Sequence, residues 1–282
     1  HMWWNIAEFN GKEIHAKLQE LAAKKMTPSQ FEKAQELARI CLLTNYKRCT
    51  ELTFGIADCS INSRRNYTIK DKKEFRRGLS AHREGDHLTA KRIWLPLAKR
   101  GHAEAQKYIG FLFDNGRGVA VDKVEALKWY TLAAEQGGYI PQTIIGYKYA
   151  NGEGTEKNFM KALKWRTCAS LQNYAVAQWA LAKMYENGQG TKQNNETAFN
   201  WYKRAAIQNF QDAQNRVAEM FHEGIGVQQN SVWAYAWAEI SIANGFWSRK
   251  LIKTLETVLN PAEIKTAQER ARECIRNNYK GC

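Results

Sequence analysis

Residues 103–138 read AEAQKYIGFLFDNGRGVAVDKVEALKWYTLAAEQGG, and the same frame returns in unbroken register at 139–174, at 175–210 and from Gln211 to Gly245. Glutamine falls at Gln106, Gln142, Gln178 and Gln214, and each is followed by a glycine pair: Gly116 and Gly118, Gly152 and Gly154, Gly188 and Gly190, Gly224 and Gly226. Ala126, Ala162, Ala198 and Ala234 then recur, with Trp129, Trp165, Trp201 and Trp237 three residues behind them. Self-similarity at a fixed period of this size marks a solenoid, in which each unit buries its apolar face only by stacking on its neighbours. The expected fold is therefore all-α, an array of helix-turn-helix repeats.

Within one unit, the spacing predicts helix A over about Ala103 to Asp114 and helix B over about Lys123 to Gln136. Ala105, Gly110, Ala126, Ala133 and Ala134 are small enough to let the two helices approach, while Ile109, Phe113, Leu127 and Trp129 fill the space between units. The Asn115-Gly116-Arg117-Gly118 corner supplies the left-handed backbone that a tight helix reversal needs. Asp122, Asn158, Asn194 and Asn230 stand where helix B begins and are suited to cap it. A shorter, degenerate unit from Glu74 to Gly101, with Gly85-Asp86 at the corner, precedes the four full ones, as an outermost repeat facing water should.

Working outward, the two ends of the chain carry one motif twice. At an offset of 233 residues, Pro28, Ala34, Gln35, Glu36, Ala38, Arg39, Cys41, Asn45, Tyr46, Lys47 and Cys49 recur as Pro261 through Cys282. Each copy opens on a capping signature, Thr27-Pro28-Ser29-Gln30 or Asn260-Pro261-Ala262-Glu263. Each copy also ends in two cysteines that a helical last turn followed by a reversal can bring within bridging distance. The duplication predicts disulfides Cys41–Cys49 and Cys274–Cys282, and leaves Cys59 and Cys168 either bridged to each other or free. Six cysteines allow 15 pairings, so the duplication alone makes this choice. Disulfides of this kind form in an oxidising compartment such as the bacterial periplasm or the exterior. The resulting division is 1–49 as an N-terminal helical unit, 50–73 as a basic connector, 74–247 as the repeat array and 248–282 as the C-terminal cap.

Composition narrows the function classes. The 282 residues carry 42 Lys and Arg against 28 Asp and Glu, a formal charge of +14, with 44% hydrophobic residues and only 4 prolines. Such a chain folds rather than remaining disordered, and it favours an acidic partner or an anionic surface. No apolar run approaches the roughly 20 residues of a spanning helix. Nucleic acid is disfavoured as a partner: the basic residues are spread along the chain, and no zinc-finger, RNA-recognition or basic-zipper signature is present. Attraction to a membrane surface through Arg64, Arg65, Lys70, Lys72, Lys73, Arg76 and Arg77 is a minor alternative.

Chemistry has little foothold. No Ser-x-x-Lys, His-Glu-x-x-His or Gly-x-Ser-x-Gly stretch exists, and Gly116-x-Gly118 lacks the third glycine and the strand of a dinucleotide fingerprint. His82 and His87 fall on opposite sides of a helix end and turn; His102 and His222 stand alone. No catalytic, metal or cofactor site is expected. Removing the repeated core positions leaves a helix-A face at i, i+3, i+7 that varies from unit to unit: Tyr108, Phe111 and Asn115; Ile144, Tyr147 and Asn151; Ala180, Lys183 and Asn187; Arg216, Glu219 and Glu223. This lining, aromatic early and charged late, is the candidate protein-binding surface. Tyr108, Phe111 and Tyr147 are also read as residues that simply pack on neighbouring helices.

The pattern A-x-A-Q-x-x-[LI]-G-x-x-[YF]-x-x-G-x-G…A-x-x-W-[YF]-x-x-A-A-x-x-G, spelled by Ala103 to Gly137, resembles the Sel1-like repeats, relatives of the tetratricopeptide repeats. Arg166, Ser170 and Ala182 depart from it. The closing A-x-E-x-A-x-x-C…N-Y-x-x-C of Ala267 to Cys282 is similar to the tails of exported bacterial members. The resemblance implies a right-handed superhelix with a concave groove and a non-enzymatic adaptor role. It extends to an immunity protein that neutralises an exported toxin, such as a phospholipase effector of a type VI secretion system, to a scaffold of an envelope enzyme complex, and to a cysteine-rich hydrolase acting on β-lactams. Mass analysis of unreduced peptides is expected to show the terminal cysteines paired within each copy. Finding all four terminal thiols free in air-purified protein would refute that pairing.

Overall fold

The computed structural model describes Cys59, residues 67–245, residues 249–279 and Cys282, all within one compact unit running from Cys59 to Cys282. The expectations for residues 1–49, including the Cys41–Cys49 bridge, and most of the connector lie outside the described residues. Among the described residues all regular structure is helical. Helices α1 (Ile69–Arg83) and α2 (His87–Lys99) form the degenerate first unit; α3 (Ala103–Asn115) with α4 (Lys123–Glu135) form the second and α5 (Tyr139–Asn151) with α6 (Phe159–Leu171) the third. Helices α7 (Ala175–Asn187) and α8 (Asn195–Ala206) make the fourth unit, and α9 (Gln211–Glu223) and α10 (Ser231–Ala243) the fifth, followed by α11 (Arg249–Glu256) and α12 (Pro261–Arg276). From α1 to α11 each helix packs on its predecessor, the arrangement of a solenoid, and α12 packs back on α10.

Local chemistry sets the boundaries. The side-chain oxygens of Asp122, Asn158, Asn194 and Asn230 accept from the backbone N–H of Glu125, Lys161, Thr197 and Trp233 at 2.8 to 3.0 Å, so every helix B of the full units is capped as its sequence implies. The array begins earlier than the repeat pattern. Thr68 and Asp71 form a capping box that starts α1 at Ile69, which places Lys70, Lys72 and Lys73 of the basic stretch on its exposed first turns. The two glycines of each corner do different work. Gly152 closes α5 in the left-handed conformation at φ 79°, whereas Gly154 touches the preceding unit so closely that a Cβ there would lie 2.1 Å from the Lys123 carbonyl oxygen.

The recurring glutamine proves to be the link between units. Gln106, Gln142, Gln178 and Gln214 are buried, and each donates from Nε2 to a carbonyl near the end of the preceding unit's helix B: Ala98, Ala134, Ser170 and Ala206, at 3.0 to 3.2 Å. The Oε1 of each accepts from an amide closing its own unit: Gln136, Gln172, Gln208 and Asn244, at 2.6 to 3.0 Å. Each amide therefore ties one unit backward and its own helix pair together, with both its polar ends satisfied.

The apolar core follows the repeat unevenly. Trp201 and Trp237 are buried, but Trp129 and Trp165 are half-exposed, and Phe113 shares the partial exposure of Trp129. Trp237 lies on α10, which the cap helix α12 covers. Among the described residues no corresponding helix covers α4 and α6. The C-terminal cap behaves as its motif implies: Asn260 and Glu263 form the capping box of α12, and Asn278 and Tyr279, at φ 53° and 62°, turn the chain back. Cys274 and Cys282 are bridged with Cα atoms 5.8 Å apart, and Cys59 is bridged to Cys168 of α6 with Cα atoms 5.5 Å apart. Tyr279 Oη donates to Asn209 and accepts from Asn244, which fastens the cap to the last glutamine link.

Replacing Gln178 by Met keeps its volume but removes the bonds to the Ser170 carbonyl, which keeps the Asn173 N–H, and from the Gln208 amide, which keeps the Arg204 carbonyl. The expected loss is about 1 kcal/mol of unfolding free energy, read as a lower urea midpoint with unchanged slope. An unchanged midpoint would show that the link carries no stability.

Candidate functional site

The variable face belongs to α3, α5, α7 and α9, and the structure distributes its residues unequally between packing and solvent. At the N-terminal end, Tyr108 lies 4.6 Å, centroid to centroid, from buried Trp94 and 5.8 Å from both Phe75 and His82. Phe111 meets His82 edge-on at 5.6 Å and carries the Arg117 guanidinium over its ring at 5.3 Å. Both are half-buried, so they are packed and partly accessible at once. Tyr147 differs: it is 52% exposed, with its hydroxyl proton held more tightly than usual by Glu153. Ile144 is half-buried and Ala180 buried, while Lys183 is exposed and extends over the Trp179 ring at 4.7 Å.

Asn115, Asn151 and Asn187 have a local task. Each donates from Nδ2 to the carbonyl four residues back, at Phe111, Tyr147 and Lys183, and so closes its own helix A. Glu223 takes that position in the fifth unit and joins a charge network instead. There Arg216 bonds Glu186 through Nε and Nη2 at 2.9 and 2.5 Å, Glu219 at 2.8 Å, and Glu223 at 3.5 Å. Tyr202 Oη donates to Glu186 at 2.5 Å, and burial, followed by that carboxylate, pushes its own ionisation well above the usual range. Glu186 was not among the residues marked by the i, i+3, i+7 rule. It sits one position off that face, and its contacts with Tyr202 and with the next unit's Arg216 bring it in.

A second network lies beneath the surface. Lys148 is almost wholly buried, with its Nζ 2.6 Å from Asp114 Oδ1, which also accepts from Lys123 at 2.9 Å. Burial acts to raise the Asp114 ionisation, but the two lysine hydrogen bonds outweigh it and hold the group below its ordinary value. Arg166 on α6 has a different setting. It is half-buried between α5 and α7, where a Cβ on Gly146 would lie 2.8 Å from its Cγ and its Nη1 reaches the Ala180 carbonyl at 3.4 Å.

His82 and His87 stand on opposite sides of the turn between α1 and α2, as expected, and the tight Glu84-Gly85-Asp86 reversal brings their Nδ1 atoms to 3.1 Å. His102, read as standing alone, is the N-cap of α3: its Nδ1 accepts from Ala105, and its ring stacks on Tyr67 at 3.9 Å and Phe75 at 4.9 Å. Among the described residues, no group of three or more His, Cys, Asp or Glu side chains could hold a metal ion, and no helix is long and apolar enough to cross a membrane.

Stacked, capped helix pairs with a constant interior and a variable helix-A lining define a helical repeat scaffold. Residues 103–138, 142–174, 175–210 and 211–246 match the Sel1 repeat, half of the chain, and the chain belongs to the Sel1 repeat family. Proteins with these repeats generally mediate protein–protein interaction. The chain is similar to a protective antigen of uropathogenic Escherichia coli strains displaying an SLR fold, with a TM-score of 0.66 and 25% identity over 74% of this chain and 47% of that one. It is also similar to a Sel1 repeat protein from Oxalobacter formigenes, with a TM-score of 0.62 and 27% identity over 72% and 85% of the two chains. The chain thus spans about half the length of the Escherichia coli antigen. No curated protein matches it significantly.

Burial, His87 and Arg117 together depress the His82 ionisation below 6.5, and burial depresses that of His102 despite Asp71 and Glu104. The unfolded chain then binds protons that the folded chain refuses. Stability should be constant above about pH 7 and fall as pH drops through 6.5. Thermal melts from pH 7.5 to 5 should show this decline, and a His82→Phe variant should show a shallower one. Equal slopes would remove His82 from the cause.

Proposed function

We propose that this protein is a non-enzymatic interaction module of the bacterial envelope that holds a partner protein along the concave helix-A face. The observation that carries the reading is the division between positions. The caps, corner glycines and glutamine links repeat from unit to unit, whereas the helix-A lining changes from Tyr108 and Phe111 through Tyr147 and Lys183 to the Arg216 network. Only the lining is free to encode specificity. Aromatic and arginine anchors with partial exposure are the residues that dominate protein interfaces.

Two disulfides support an oxidising location, and the charge of +14 supports a partner with an acidic surface. A compact, disulfide-closed and basic chain suits the neutralisation of an exported toxin, for which a type VI secretion phospholipase is the example taken from the resemblance. A scaffold of an envelope enzyme complex is the other occupant of the same surface.

The test is capture from periplasmic and secreted fractions on the immobilised full chain. A stoichiometric protein partner is expected, with recovery reduced at least tenfold in a Tyr147→Ala/Lys183→Ala double variant, whose exposed side chains leave the core intact. Recovery of no protein by the unaltered chain would overturn the reading.

A further inference from the structure

Arg166 stands where the units on either side of it place a tyrosine, the fifth unit having Ala238 there, and the exchange extends to the tyrosine's partner. In the second unit, Tyr130 on helix B faces Asp114 on helix A, and in the fourth, Tyr202 donates to Glu186 at 2.5 Å. Each of these carboxylates also accepts a cation from the following unit, Lys148 onto Asp114 at 2.6 Å and Arg216 onto Glu186. The third unit changes both members. Arg166 takes the tyrosine position, 36 residues after Tyr130 and 36 before Tyr202, and Ala150 takes the carboxylate position, 36 after Asp114 and 36 before Glu186. The repeat position that holds an acid in both neighbouring units holds a methyl group here, in the same unit as the cation.

The consequences for Arg166 are visible in its surroundings. Among the described residues its guanidinium has no carboxylate partner, and its one polar contact is the long bond from Nη1 to the Ala180 carbonyl. Burial alone acts on its ionisation, lowering it. A desolvated cation without a counter-ion is unfavourable, and the repeat demonstrably has a satisfied alternative in the units on either side. The aliphatic stem is gripped against Gly146, so the fork is held in place before any ligand arrives. Tyr147, which follows Gly146 on α5, and Lys183, one helical turn beyond Ala180 on α7, are both exposed candidates of the lining on the two helices that Arg166 touches.

We infer that Arg166 is the anion-accepting anchor of the groove, and that a carboxylate presented by an acidic segment of the partner protein occupies the place vacated at Ala150. The inference rests on the protein-binding reading above and deepens it, assigning the partner's charge to one site. A planar guanidinium with free N–H groups takes a carboxylate through two parallel bonds, a geometry that a lysine cannot reproduce. The excess of carboxylates around Arg216 makes the adjoining stretch of the lining acidic, so the acidic segment has a defined direction of approach, toward the third unit and away from the fifth.

The experiment is selection of a random dodecapeptide library on the immobilised full chain, with the recovered peptides resynthesised with free and with amidated C-termini. The expected result is a motif with Asp or Glu fixed at one position, bound by the unaltered protein and weakened about tenfold or more by Arg166→Met. Amidation that abolishes binding would assign the carboxylate to a chain terminus; amidation without effect would assign it to a side chain, and either supports the anchor. Ala150→Asp provides a variant that keeps Arg166 and supplies the missing acid internally. It should raise the melting temperature and weaken the same peptides. Peptides without a fixed acid, or an acidic motif indifferent to both substitutions in folded protein, would overturn the anchor and leave the interaction reading standing. Enrichment of no peptide together with failed partner capture would overturn both.

Discussion

A buried amide is the joint on which this array depends. Apolar stacking alone would let one helix pair slide or rotate on the next, since leucine and alanine surfaces impose little register. Gln178 removes that freedom, because its Nε2 and Oε1 must meet the Ser170 carbonyl and the Gln208 amide at the same time. Leaving either end unmade inside the core is costly. The corner glycines then allow the backbones to approach within the distance at which such a short side chain can reach, Gly154 lying against Lys123 and Gly190 against Phe159. The aromatic and alanine packing fills a frame whose spacing these polar bonds fix.

That frame is what lets the helix-A lining differ in each unit. Tyr130 with Asp114, Arg166 with Ala150 and Tyr202 with Glu186 are three solutions at one pair of positions, and the surrounding caps and glutamines do not move to accommodate them. Electrostatics along the lining therefore changes sign within one molecule. It passes from aromatic rings at Tyr108 and Phe111, through the cation at Lys183, to a surplus of carboxylates around Arg216.

Much of the fold was legible because its determinants are local and repeated. Asn158 and Asn194 announce helix starts through their own backbone, and paired glycines announce corners. The purpose of the glutamines was not legible, although their constancy was: a recurring polar residue reads the same whether it faces water or closes a buried link. The pairing of His82 with His87 escaped for a related reason, since a separation of five residues brings rings together only if the intervening turn is as tight as Gly85 makes it. Glu186 lay outside the marked face because its role comes from Arg216 in another unit. The graded burial of the tryptophans could not be read from four identical positions, since it depends on what lies beyond each unit. Arg166 was visible as a departure from the pattern, but its significance required seeing that Tyr130 and Tyr202 meet carboxylates at the repeat position that Ala150 holds in the third unit.

The bridge between Cys59 and Cys168 alters how such an array can come apart. Stacked repeats ordinarily lose their end units first, one at a time, because each is held only by its neighbour. Here a covalent tie spans 109 residues, from a point ahead of the first helix to the second helix of the third unit. The first two units lie inside that loop and cannot peel away into an unconstrained tail. The amino-terminal half of the array is thereby converted from a zipper that opens from its end into a closed loop, protected from fraying.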